Sequence, residues 1–64
     1  MAAEQTKRSI LLAAERVIAD KGFGSARVDE IASAAGVSKS HLYYHFDSKD
    51  ELLRALVSMR VGDL

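Results

Sequence analysis

Two short stretches of the chain, residues 28–35 and 39–45, are held apart by only Gly36-Val37-Ser38, and this arrangement constrains the fold more than any other feature. In the first stretch Val28, Ile31, Ala32 and Ala35 are apolar at i, i+3, i+4 and i+7, the spacing that places them on one face of an α-helix. In the second, Leu42 and then Phe46 are the inward residues, and Ser38 is placed to accept a backbone N–H from that helix's first turn. Two helices joined by so short a turn form a helix-turn-helix over residues 28–46. Its physics asks for particular residue types. Ala32 is small where the helices cross, Gly36 supplies the positive φ of the turn, and Val37 and Leu42 fill the wedge between the helices. Ile31, Ala32, Gly36, Val37, Leu42 and Phe46 are therefore the expected core of the motif.

The flanking sequence is helical as well. A first helix is expected over residues 6–20, with Thr6 as N-cap, Ile10, Ala14, Val17 and Ile18 on one face, and Leu11 and Ala13 widening it. Lys21-Gly22 ends it, and Phe23 is placed to fold back onto the core. Ser48-Lys49-Asp50-Glu51 reads as a capping box, serine at N-cap and glutamate at N3, opening a fourth helix that runs to residue 61. That helix carries two apolar lines, Leu52-Leu56-Met59 and Leu53-Val57-Val61, more than a unit of this size can cover. The expected fold is all-α: a three-helix, homeodomain-like helix-turn-helix unit plus the start of a fourth, connecting helix. Residues 1–5 are expected to be a flexible N-terminus, 6–47 the helix-turn-helix domain, and 48–64 a connecting helix toward a further domain that this chain lacks.

Sixty-four residues make one domain at most, and so small a unit buries only about 60% of the surface its unfolded chain exposes, so stability is marginal. With no cysteine, neither a disulfide nor a cysteine-zinc site can help, which leaves a partner surface as the remedy. No apolar run approaches the roughly 18 residues of a membrane span, and the first five residues offer neither a basic nor an apolar signal region, so a soluble, cytoplasmic protein with no membrane partner is expected. Nine basic residues balance nine acidic ones, and net charge therefore lends no support to nucleic-acid binding. The placement of the charges does. Lys7, Arg8, Arg27, Lys39 and Lys49 all fall near expected helix N-termini, where free N–H groups and the helix dipole favour a phosphate.

With Leu42 facing inward, Ser40 and Tyr44 lie nearly opposite it on the third helix, and His41 and Tyr43 flank them. Two tyrosines, a lysine, a serine and a histidine suit a groove reader, in which residues near the helix start meet base edges while tyrosine hydroxyls and lysines hold phosphates. The plainer alternatives are that Tyr43 is partly core and that His45 packs against helix one. His41 and His45, at i and i+4, could also hold a metal, but the zinc-protease pattern needs a glutamate directly after the first histidine, where Leu42 stands. No phosphate loop, nucleophile elbow or paired acid and base appears, so neither catalysis nor a bound metal or cofactor is expected. A protein-interaction module, docking through helix four, would account for the second apolar line but not for the glycine turn or the aromatic and basic face of helix three.

The set Gly22-Phe23, Val28-Asp29-Glu30-Ile31-Ala32, Ala35-Gly36-Val37-Ser38-Lys39, Leu42-Tyr43-Tyr44-His45-Phe46 and Ser48-Lys49-Asp50-Glu51-Leu52-Leu53 resembles, without gaps, the N-terminal domain of tetracycline-repressor (TetR) family regulators. The resemblance implies a sequence-specific transcriptional regulator, a homodimeric repressor whose absent C-terminal domain binds a small-molecule inducer and holds the dimer on a palindromic double-stranded DNA operator. It also implies that Lys39, Ser40, His41, Tyr44 and His45 face bases, and that Tyr43 and Lys49 hold phosphates, with Ser38 beside them. In one respect the chain departs from the pattern. The family often carries threonines just before helix two, one of them its cap and phosphate contact, where this chain has Ala26, Arg27 and Val28. Losing a hydroxyl cap costs about 1 kcal/mol. Arg27 is the expected replacement on the phosphate, and Ser25 is a cap only if helix two starts early.

Overall fold

A computed structural model describes residues 2–62 of the chain, and side chains from residue 5. Four helices follow one another: α1 (Ala2–Lys21), α2 (Val28–Ala35), α3 (Lys39–His45) and α4 (Lys49–Gly62). The bounds of α2 and α3 are those the periodicity predicts. α1 is longer than expected, beginning at Ala2, about one turn ahead of Thr6. Thr6 is thus an interior residue and not the cap. The reason is local: Ala2, Ala3, Glu4 and Gln5 are all good helix formers, and nothing in them stops a helix from running on. The early start also places Lys7 and Arg8 beyond the first turn, away from the helix N-terminus expected to lend them its dipole. Residues 1, 63 and 64, which the expected N- and C-terminal segments included, lie outside the described residues.

The helix ends follow from particular residues. Gly22, at φ +85°, ends α1, and its N–H donates to the Ile18 carbonyl at 2.7 Å. Gly36, at φ +76°, ends α2, with its own N–H on Ser33 O at 3.1 Å and the Val37 N–H on Ala32 O at 3.0 Å. These bonds satisfy carbonyls that a helix C-terminus otherwise leaves open. Ser38 caps α3 as expected, its Oγ accepting from His41 N at 3.0 Å, and Ser48 Oγ accepts from Glu51 N at 3.1 Å at the head of α4. The entry of α2 is made differently. Arg27 is the N-cap residue in extended conformation, and Glu30 Oε1 accepts from its backbone N–H at 3.3 Å. Since α2 starts at Val28, Ser25 is not its cap.

Ile10, Ala14, Ile31, Leu42 and Leu52 are fully sequestered, and Leu11, Ala13, Ala32, Phe46 and Leu56 join them in one core fed by all four helices. Val17, Ile18, Val28, Ala35, Val37, Ala55 and Met59 pack around its margin. α1 lies along both α2 and α4, and α2 leans on α3. Of the two apolar lines on α4, Leu52-Leu56-Met59 faces this core, whereas Val57 and Val61 are exposed and Leu53 is half-buried. No helix among the described residues is long and apolar enough to cross a membrane.

Candidate nucleic-acid interface

The motif's interior is assembled as its composition requires. Ile31, Ala32, Leu42 and Phe46 are buried, Val37 is half-buried in the wedge, and Gly36 stands exposed at the turn. Because α3 has only seven residues, it could not hold a helical conformation in isolation. Leu42, Phe46 and the Ser38 cap keep it formed and fix which of its faces points away from the protein.

That outer face brings together Ser38, Lys39, Ser40, His41, Tyr43 and Tyr44, all exposed. Tyr44 is the most open at 83% exposure, and Tyr43, at 41%, is not a core residue. The ring of His41 lies 5.2 Å from that of His45, and Tyr44 meets His45 edge-on at 5.2 Å. His45 itself is less exposed than the other six. It is half-buried on the flank of α3, lining a crevice of about 330 Å³ with Lys7, Phe46, Glu51, Arg54, Ala55 and Ser58. Burial pushes the His45 imidazole pKa down, and His41 and Lys7 act in the same direction. Lys7 Nζ lies 5.8 Å from the Phe46 ring centroid, close enough for a cation–π contact. Among the described residues no group of three or more His, Cys, Asp or Glu side chains could hold a metal ion.

Arg27 projects at the edge of this surface, beside the start of α2. Its side chain is 75% exposed, and its Nε faces Asp29 Oδ1 at 3.5 Å, a long, solvated pair that leaves the guanidinium available to another anion. The Asp29 carboxyl is held below the ordinary carboxylate range, first by a backbone hydrogen bond and then by Arg27 and Lys39. Lys49, at the first residue of α4, is placed differently from the other cations. Its ammonium donates to the Ala26 carbonyl at 2.8 Å and stands 4.4 Å from the Phe23 ring centroid. Sequence reasoning missed this bond, and two others: Lys21 pairs with Glu30 across the α1–α2 loop, and Arg60 pairs with Glu15 between α4 and α1. Nothing in the local pattern signals them, because each joins residues from separate elements of the fold.

Residues 10–56 match the family described as bacterial regulatory proteins, tetR family. The chain belongs to that family. As a TetR-family chain it is 44% identical over 61 residues to the HTH-type transcriptional activator FasR of Mycolicibacterium smegmatis, a match covering 95% of this chain and 28% of FasR. It is 36% identical to the HTH-type transcriptional repressor BepR of Brucella suis, over 86% of this chain and 26% of BepR. It is 38% identical to the HTH-type transcriptional regulator TtgR of Pseudomonas putida, again over 86% of this chain and 26% of the relative. The chain thus spans about a quarter of the length of the curated relatives it matches. No solved structure matches it. The family match and the HTH-type relatives make this a DNA-binding transcriptional-regulator domain of the TetR family.

Proposed function

We propose that this chain is the DNA-reading head of a homodimeric TetR-family repressor that recognises a palindromic operator through α3 and releases it when a small molecule binds elsewhere in the full protein. The observation that carries this reading is the outer face of α3. Five polar and aromatic side chains and the Ser38 cap stand exposed on a helix whose opposite side is locked by Leu42 and Phe46. An α-helix with its side chains is about 10–12 Å across and fits the major groove of B-DNA, roughly 12 Å wide, so that α3 can enter with its first turn toward the base edges. Lys39, Ser40, His41 and Tyr44 then face bases, and His45 meets them from the flank. Ser38, whose oxygen accepts the cap bond while its O–H stays free to donate, and Arg27, Tyr43 and Lys49 hold phosphates on either side. With a formal charge of zero, the chain depends on this local clustering for its attraction to DNA.

One head makes few contacts, and joining two on a single operator raises affinity through effective concentration, which is the advantage of a dimer held by another part of the protein. The test is binding of two linked heads to a library of operator variants at two salt concentrations. Lys39→Ala changes the ranking of variants, by about 1–3 kcal/mol at the base pair it reads, with a guanine as its best partner. Tyr43→Phe weakens all variants alike, because phosphates carry no sequence information. If Lys39→Ala instead lowers every affinity by one factor, α3 is not the reading helix.

A further inference from the structure

We propose that DNA binding by this head is coupled to the uptake of a proton by His45, at the end of α3, so that the head holds DNA more tightly in mild acid. The inference rests on the DNA-binding reading above, since the proton is gained when the phosphates of the duplex arrive. The chain has two histidines and no cysteine, so apart from the terminal amino group no other group has an ordinary pKa between about 5 and 8. Both histidines lie on the reading helix, one turn apart, with ring centroids separated by 5.2 Å. Of the two, His45 is the one whose surroundings resist charge. It is half-buried, and three helices bring basic groups around it: His41 from α3, Lys7 from α1 and Arg54 from α4. Glu51 is the one carboxylate among the residues lining the same crevice, and Tyr44, edge-on to the ring at 5.2 Å, brings no charge. Burial and like charge both disfavour the imidazolium, and the His45 pKa is lowered for these reasons, burial first.

The end of α3 is thus a cluster of basic groups short of anions, and a duplex supplies them. A helix lying in the major groove has a phosphate backbone on either side of it. Phosphates drawn in beside α3 reverse the local field, and the imidazole that met mostly cations in the free chain then meets opposite charge, which favours its protonated form. The direction of the pH dependence follows from linkage. Because the complex holds the proton more tightly than the free chain does, affinity is lowest above the pKa of the complex. It rises as pH falls through that value and levels off below the pKa of the free chain. The proton also adds one positive charge, so DNA binding becomes more sensitive to salt in acid.

The experiment titrates the 64-residue chain and its His45→Gln variant with mixed-sequence duplex DNA at pH 6 and pH 8, each at several salt concentrations. Parent affinity is expected to be several-fold higher at pH 6, approaching the roughly tenfold limit that a rise of one pH unit in a single pKa sets. The slope of log affinity against log salt is expected to steepen at pH 6 by up to about 0.9. His45→Gln is expected to lose most of both effects, and the terminal amino group, the same in the two chains, contributes equally to each. Parent affinities within about twofold of each other at the two pH values overturn the proposal, and so does a His45→Gln variant that keeps the parent's gain. Should His45→Gln have no cooperative melt, an NMR titration of the His45 imidazole in the parent, with and without the duplex, decides: a pKa raised by DNA supports proton uptake, and an unchanged one overturns it. Absence of DNA binding by the parent at both pH values would refute the DNA-binding reading and the proposal with it, whereas binding equally tight at both refutes the proton uptake alone.

Discussion

At the scale of single residues, Gly36 and His45 carry most of what distinguishes this chain from any small helical bundle. An added Cβ at Gly36 would meet nothing within 4 Å, so the whole cost of substitution there comes from φ +76°. Left-handed backbone costs an L-residue roughly 1–2 kcal/mol, and more when it is β-branched. Gly36→Asn is expected to keep a cooperative melt close to the parent's, and Gly36→Val to lower the midpoint by about 10 °C or to abolish the transition in so small a domain. Equal melts for the parent and Gly36→Val would contradict the observed turn. His45 gives the fold a pH dependence. Its folded pKa lies below the ordinary 6.5, so its contribution is complete above that value and is lost as pH falls and the unfolded chain takes up the proton first. Glu30, depressed from 4.5 mainly by its bond to Lys21, acts with the same sign but only at lower pH. Urea melts between pH 7.5 and 5.5 therefore show falling stability in the parent and a flatter profile in His45→Gln. An unchanged slope in the variant would assign the pH dependence elsewhere.

At the scale of elements, the short reading helix depends on its cap and its anchors. Ser38→Ala removes the acceptor for His41 N and is expected to cost about 1 kcal/mol, seen as a lower midpoint and faster exchange in the first turn of α3. A loss under a few tenths of a kcal/mol would mean that tertiary packing alone holds the helix. The elements also show where sequence reasoning succeeds. The limits of α2 and α3 were legible because Gly36, Ser38 and the 3.6-residue apolar pattern act within a few residues of one another. The start of α1 was not, since Thr6 signals a cap only weakly and the helix-forming residues before it override the signal. The structure of α2's entry was half legible. Glu30 lies three residues beyond Arg27, the capping-box position, and its carboxylate takes the Arg27 N–H, yet the N-cap residue itself is not one that composition would nominate.

At the scale of the molecule, the described chain has a Cα radius of gyration of 10.8 Å, against about 10.7 Å for a well-packed chain of this length, so the four helices close a core of their own. The two faces of α4 should then respond oppositely to mutation. Leu52→Ala opens a cavity in the core and is expected to cost about 2–5 kcal/mol, enough to unfold most of the population, whereas Val57→Lys, on the exposed line, leaves the melt unchanged. Thermal melts of both test this, and a severe loss in Val57→Lys would show that the exposed line also supports the fold. Sequence alone determined the helical class, the Gly36 turn, the caps at Ser38 and Ser48, and the inward and outward faces of α3, because propensity, capping and periodicity are all decided between near neighbours. Only the tertiary structure decided the pairs Lys21–Glu30 and Arg60–Glu15, the flank position of His45 and the lowering of its pKa, and the bond from Lys49 to Ala26. These depend on which helix surfaces meet, and no periodicity within one helix encodes the partner that a side chain finds on another.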